Sequence, residues 1–328
     1  MKLLSVAVPC YDVAHCLERC LNSFADPRLV EALEVLIVND GSTDETRAIA
    51  ERYVRAYPQV FRLIDQPNGG HGAAINAGIA CATGKYFRVV DGDDWVETEE
   101  LASLLGALGS VESDLIVDQK TEEYMDTGVT RRRPLPLGTP WGQELSFERA
   151  FEPRYIPHLS LHTTSARLSL LRRHDIRVQR HTYYVDFEFI LKASAHARTA
   201  MFVNHFIYHY QLGNPEQSVD WKNYVRKHDH HDRVVREALT LASAGNHAPD
   251  KRDYVDHSVL LLIHTHLNIF LIYNENRAQG RKQAADFMRF LKVEYPQFYR
   301  KARLRYAKAR ALNLLGVNYV SLQKLRGR

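Results

Sequence analysis

Over the first 118 residues, short runs rich in β-branched and aromatic residues alternate with segments of helical periodicity. The strand-like runs fall at 3–8, 34–39, 61–65, 85–90 and 114–117, and the helical ones at 15–24, 43–57, 73–82 and 97–108. Such alternation marks repeated βαβ units. Parallel neighbours need a crossover connection, so the helices must cover both faces of a mostly parallel sheet, and the expected fold class is α/β. The linkers are short and rich in Gly, Asn, Asp and Pro, as strand ends require. Thr43-Asp44-Glu45-Thr46 has the chemistry of a helix N-terminus, and Pro27 and Pro58 are placed to close the first two helices.

The fourth strand runs into Val89-Val90-Asp91-Gly92-Asp93-Asp94-Trp95. Three carboxylates within four residues repel one another, and such a cluster is costly when partly buried. Open α/β sheets bind ligands outside the carboxyl ends of their strands. A hard divalent cation, which prefers oxygen ligands and tolerates bridging phosphates, is the natural compensator. An acidic turn capping the next helix is the competing reading, and the acids alone do not separate the two.

Size and charge narrow the class. A chain of 328 residues suits one large or two modest domains, and 45% apolar with 25% charged residues is ordinary for a soluble globular protein. The longest apolar stretch, 259–273, is interrupted by His264, His266 and Asn268 and reads as too short and too polar to span a membrane. The first nine residues lack the apolar core and cleavage site of a signal peptide, so a cytoplasmic location is expected. Cys10, Cys16, Cys20 and Cys81 form no C-x-x-C pair, which points to buried thiols rather than zinc or thioredoxin-like chemistry. The net charge is +4, yet nine Lys or Arg and no Asp or Glu lie between Tyr295 and Arg328. A basic tail of this kind is a solvated helix face, or it holds an anionic lipid surface or a polyanionic substrate.

Four segments at strand carboxyl ends can share one crevice. They are Val6-Ala7-Val8-Pro9-Cys10-Tyr11-Asp12, the run from Val35 through Asn39-Asp40-Gly41-Ser42-Thr43-Asp44, the run from Gln66 through Asn68-Gly69-Gly70-His71-Gly72 to Asn76-Ala77-Gly78, and Asp91 to Asp94. Tyr11 offers a ring for stacking a base, and Asp40 can accept a hydrogen bond from an imide N–H. The glycine turn presents backbone amides and a helix N-terminus to an anion. The acids supply metal and ribose contacts. Together these describe a nucleotide-diphosphate site with a divalent ion. Gly70-His71-Gly72-Ala73-Ala74-Ile75 partly matches a dinucleotide fingerprint but lacks its third glycine and follows the third strand, which disfavours a nicotinamide enzyme.

The combination V-P-x-Y, V-N-D-G-S-T-D, N-G-G…N-A-G and D-G-D-D, in this order, resembles the family-2 glycosyltransferases of the GT-A fold. The resemblance is strong over residues 3 to 118 and looser to about 219. It implies a GT-A domain over 1–219, with a nucleotide-binding half at 1–118 and an acceptor-binding half at 119–219. A helical region with the basic tail follows at 220–328. It also implies that Pro9 and Tyr11 contact the nucleobase, that Asp40 contacts uracil, and that Asn68 joins them from the third loop. Asp91 would contact the ribose, and Asp93 would hold Mn²⁺ or Mg²⁺ against the diphosphate. Asp94 assists or caps the next helix, with the cap preferred. The family often has Ala-Arg-Asn where this chain has Ala74-Ile75-Asn76, and His71, Lys85 and Arg88 are the candidates to replace the missing arginine.

In the second half, Tyr183-Tyr184-Val185-Asp186-Phe187-Glu188 matches the segment that opens a helix beneath the acceptor, with Val185 where the family carries Glu. Asp186 is thereby the candidate general base. A carboxylate in a first helical turn is favoured as the anion, and a base must be unprotonated and within reach. A plain N-cap role for Asp186 is the alternative, and Glu188 is the rival base. Tyr208 to Ser218 resembles the segment that closes over the diphosphate in many relatives. There His209 is a candidate metal or phosphate ligand, equally consistent with a structural histidine, and Gln217 and Ser218 are candidate phosphate partners. His228, His230 and His231 read as a solvated helix face, and His257, His264 and His266 as hydrogen-bonded core or interface residues.

The function expected is an inverting, metal-dependent transfer of sugar from a UDP-sugar to a hydroxyl of a cell-envelope glycan, lipid-linked saccharide or related polymer. A sugar-nucleotide-forming nucleotidyltransferase is an alternative, disfavoured because its G-x-G-T-R-x-x-P-x-x-K signature is absent. A non-catalytic glycan-binding member is another, disfavoured by the retained acids. No nucleic-acid partner is expected. The basic tail is a candidate for peripheral association with the inner face of the membrane, and the C-terminal helices are candidates for homo-oligomer assembly.

Overall fold

The computed structural model describes residues 2–213, 220–244 and 249–326. The chain divides into two compact units, Met1–Asn214 and Pro215–Arg328.

The first unit opens with β1 (Leu4–Cys10), α1 (Ala14–Asn22), β2 (Leu33–Asn39), α2 (Thr46–Ala56), β3 (Phe61–Asp65), α3 (His71–Cys81) and β4 (Tyr86–Val89). All seven residues of β1 and all seven of β2 are buried. That is the mark of parallel strands covered on both faces, and it explains why both read as unbroken apolar runs. Leu17 and Leu21 of α1 pack with Val6, Val8, Val35 and Ile37, and each fully buried aliphatic side chain there contributes about 1.5–3 kcal/mol. Pro27 starts a short 3-10 turn, capped by the Asp26 side chain, rather than simply closing α1.

The unit continues with β5 (Trp95–Val96), α4 (Thr98–Leu108), β6 (Leu115–Tyr124), β7 (Val129–Arg133), β8 (Glu144–Ser146), α5 (Phe147–Ala150), β9 (Thr164–Arg167), α6 (Leu168–Arg173), α7 (Val185–His196) and β10 (Thr199–Leu212). The sheet order is β3-β2-β1-β4-β9-β6-β10-β5, with β7 on β6 and β8 on β10. Among the described residues four pairings are parallel and five antiparallel, so the sheet is mixed rather than mostly parallel. After β6 the chain makes a long excursion and returns as β9, which enters antiparallel between β4 and β6. The segment 120–133 is a strand pair, β6 with β7. On α7, Phe187 is exposed, while Val185, Phe189 and Ile190 are buried.

The second unit is helical: α8 (Trp221–Arg226), α9 (His228–Ser243), α10 (Pro249–Asn268), α11 (Arg277–Glu294), α12 (Pro296–Leu314) and α13 (Tyr319–Arg326). α10 runs into a π-helical turn, Ile269–Tyr273. The histidines do not interrupt this path, and the 23 residues Lys251–Tyr273 are long and apolar enough to cross a membrane, contrary to the expectation from the sequence. More than half of that apolar stretch is buried, with Val259, Ile263 and Leu267 fully enclosed. Where α11 passes the π-helical turn, a Cβ on Gly280 would stand 1.9 Å from the Phe270 carbonyl oxygen, so only glycine permits the approach. His231, read as part of a solvated face, is completely buried.

Candidate active site

The acid run leaves β4 and turns before β5. Asp91 Oδ1 lies 2.9 Å from His71 Nε2 at the start of α3, and its Oδ2 lies 3.8 Å from His162 Nδ1. Asp94 is fully buried; its Oδ1 accepts from the Gln211 backbone N–H at 2.7 Å and its Oδ2 from the Tyr208 hydroxyl. Asp94 therefore does not cap a helix. Trp95 and Val96 form β5 against β10, and α4 starts only at Thr98, behind Glu97. The side chain of Asp94 instead fastens the acidic turn to β10. Asp93 is half-buried, and among the described residues its carboxylate accepts only from its own backbone N–H.

These positions divide the electrostatics. Burial pushes the Asp91 carboxyl up, but His71 and His162 pull it down harder and hold it at about 2. Burial and the neighbouring Asp91 push Asp93 up to about 6. Burial, Asp93 and Asp91 raise Asp94 well above the usual carboxylate range. Burial opposes protonation of His71, yet Asp91 wins and raises it. His162, with less compensation, is pushed down by burial to about 4 and so stands neutral, the form that ligates metals. Single ligand atoms of Asp91, Asp94 and His162 lie within 4.8 Å of one another. The His162 Nδ1 atom is buried and has no hydrogen-bond partner among the described residues. An orphaned imidazole nitrogen beside surplus carboxylates fits a divalent cation with mixed oxygen and nitrogen ligands, and Asp93 is the carboxylate left least engaged.

Beside the acids lies a cavity of about 460 Å³. Pro9, Tyr11, Asp40 and Asn68 all line it, with His71, Thr182 and Tyr183. Tyr11 is exposed at the end of β1, and the next residue, Asp12, takes a positive φ of 52°. Asp12 Oδ1 accepts from the Thr43 N–H at 2.7 Å, which ties the turn after β1 to the turn after β2. Asp40 is buried, and it accepts from Gln66 Nε2 at 2.5 Å, the Gly69 N–H at 2.9 Å and the Gly70 N–H at 2.8 Å. The anion that the glycine turn receives is thus Asp40 of the chain itself, not a free phosphate at those two amides.

Gly70 and Gly72 also let this loop pack closely against the later segment. A Cβ on Gly72 would meet the Gln179 carbonyl oxygen at 2.1 Å, and Gly70 caps α3 with φ 80°. Asn76 closes the contact, donating to the Val178 carbonyl at 2.8 Å and accepting its N–H at 3.0 Å. Segment 178–184 is thereby held along α3. It carries two left-handed residues, His181 and Tyr184, the latter being the N-cap of α7. Asp186 is accordingly not the N-cap; it sits in the first turn and accepts from the N–H of Phe187 and its own. Burial raises its carboxyl and His71 opposes the rise. Glu188 is committed elsewhere, paired with Lys192 Nζ at 2.7 Å and accepting from Gln179 Nε2 at 3.1 Å, so it is not a free base.

His209 does not join the acids. Its Nδ1 lies 2.9 Å from Glu123 and its Nε2 3.6 Å from Glu97, and its ring stacks on Trp95 at 5.1 Å. It is a structural histidine held between β6 and β5, the alternative that the sequence left open. Of the replacements for the missing arginine, Lys85 pairs with Glu112 at 2.7 Å and Arg88 with Asp118, both away from the cavity, whereas His71 lines it. Ile75 is fully buried in α3. Gln217 and Ser218 lie outside the described residues. Sequence reading missed His162, and it missed what holds it. Arg88 and Asp118 form a completely buried ion pair, and Arg88 Nη2 also donates to the His162 carbonyl at 2.5 Å. The available signal was an arginine in the middle of an otherwise apolar strand.

The model of glycosyl transferase family 2 matches residues 5–177. The uncharacterized glycosyltransferase YibD of Escherichia coli K12 is 40% identical over 129 residues, which is 39% of this chain and 36% of YibD. Chondroitin synthase of Pasteurella multocida is 28% identical over 264 residues, 79% of this chain and 25% of the synthase. The chain thus spans about a third or less of the length of these curated relatives. A crystal structure of Staphylococcus aureus TarS 1–349 in complex with UDP-GlcNAc superposes with a TM-score of 0.67 at 20% identity, covering 97% of this chain and 93% of that one. The fold is that of the GT-A glycosyltransferases, and on the family match across more than half its length the chain belongs to glycosyl transferase family 2.

Proposed function

We propose that the chain transfers a sugar, with inversion, from a UDP-sugar to a hydroxyl of a glycan or lipid-linked saccharide. One observation carries the reading: the four strand-end residues that would recognise a nucleotide and the segment leading into the helix of Asp186 line a single cavity. Tyr11 stacks on the base, and the outer face of Asp40 accepts the imide N–H while its other bonds hold the glycine loop. Asp91, kept ionised beside His71, accepts from the ribose hydroxyls. Asp186 takes the proton of the acceptor hydroxyl as its oxygen attacks the anomeric carbon from the face opposite the diphosphate; burial that lifts its pKa strengthens it as a base. Asp93, with Asp91 and His162, would hold Mn²⁺ or Mg²⁺, which when bound neutralises charge on the diphosphate leaving group. The TarS complex with UDP-GlcNAc supports the choice of a uridine donor.

The test is Asp186→Asn. Transfer falls by about 10²–10⁴-fold, the usual worth of a general base, while UDP affinity measured by calorimetry stays at the wild-type value. Equal loss of both removes Asp186 as the base.

A further inference from the structure

Helix α12 turns Phe298, Ala302, Ala309 and Asn313 inward. Its opposite face carries Leu304, Ala307, Ala311, Leu314 and the following Leu315, spaced three or four residues apart and so forming one stripe. Leu304 is 65% exposed, Leu314 60% and Leu315 79%. Arg303 and Arg310 border the stripe on one side and Lys308 on the other. None of these three makes an ion pair among the described residues, whereas Lys301 is taken by Asp256 at 2.6 Å. No acidic residue occurs from Tyr295 to the end of the chain.

We propose that this face of α12 docks on a bilayer surface rich in anionic phospholipid. Cations alone would suit any polyanion, but they leave three exposed leucines unexplained. An apolar protein partner would cover the leucines but leave the cations without counterions. A membrane interface satisfies both, because acyl chains receive the stripe while headgroup phosphates meet the flanking arginines and lysine. Six basic residues in the 19 of α12 exclude spanning, so the helix lies in the plane of the interface. The proposal is independent of the transfer chemistry.

The full chain is sedimented with phosphatidylcholine vesicles and with vesicles containing roughly one-third phosphatidylglycerol, at low and physiological ionic strength. Binding to the anionic vesicles that weakens with salt is expected. Arg303→Gln with Arg310→Gln lowers it on the order of 20-fold, and Leu304→Ser with Leu315→Ser by about 10-fold, with helicity unchanged by circular dichroism. Three outcomes overturn the proposal: no binding to anionic vesicles at low salt, equal binding to neutral ones, or binding to soluble polyphosphate without binding to vesicles. Should a variant fail to fold, the neutral-against-anionic comparison on the unmodified chain decides alone.

Discussion

His71 and His162 meet Asp91 in the N-terminal unit, and in the C-terminal unit His266 meets both Asp232 and His231. In the second cluster the two Nδ1 atoms are 3.1 Å apart, the rings stack at 5.1 Å with an interplanar angle of 8°, and His266 Nε2 lies 3.3 Å from Asp232. Two ring nitrogens approach this closely when one carries the proton and the other accepts it. Phe270 and Phe287 flank His266 at 4.4 and 4.6 Å, and both histidines are fully buried. One acid pairs with His266, which in turn meets His231, and aromatic rings fill the space around them. In the first cluster three carboxylates outnumber two imidazoles beside a cavity. Proximity of histidine to carboxylate therefore does not make a site. Surplus negative charge at strand carboxyl ends, next to open volume, does.

The contrast can be broken most forcefully at Asp93. Asp93→Ala should cut transfer by about 10³-fold and abolish the metal dependence of UDP binding in calorimetry. Binding that responds to metal as before would remove it as a ligand. Next comes the support beneath the site. Asp118→Ala strands the buried Arg88 cation and should cost about 3–5 kcal/mol in denaturant unfolding, whereas Arg88→Met combined with Asp118→Leu should cost clearly less. If the double variant is as unstable as the single one, the uncompensated charge is not the cause.

His162→Ala should weaken Mn²⁺ affinity by about 10–100-fold, while His209→Ala leaves it unchanged. The reverse ranking would restore the reading of His209 as the ligand. The smallest effect belongs to the C-terminal pair. Burial lowers both His231 and His266 below the ordinary 6.5, so on acidification the unfolded chain takes up protons before the folded one does. Their contribution is complete above about pH 6.5 and declines as pH falls below it, by at most about 1.4 kcal/mol per pH unit for each imidazole. His266→Phe should flatten that acid limb in thermal melts of the full chain. A limb as steep as in the unmodified chain would place the acid sensitivity elsewhere.

Much of the first unit was legible. The strands of β1 and β2 could be read because burial on both faces demands continuous apolar residues, and the loops that follow them carry polar residues no core would tolerate. Asp94 was misread because its partners, the Gln211 N–H and the Tyr208 hydroxyl, lie 117 and 114 residues away in β10. The place of β9 was not legible, because the four residues Thr164–Arg167 do not show which neighbours they pair with or in which direction. The length of α10 was underestimated because polar histidines look like interruptions until His231 is found opposite His266.

The sequence by itself determined the alternating architecture, the cluster of acids at a strand end and the family, since these rest on local periodicity and on motif order along the chain. Only the tertiary structure decided which side chains are free to act. Asp94 is committed to β10, Glu188 to Lys192 and His209 to Glu123, while His162 is brought to Asp91 from 71 residues away by the buried pair of Arg88 and Asp118. A residue's chemistry is written in its side chain, but its availability depends on partners that are distant in the chain and near only in the fold.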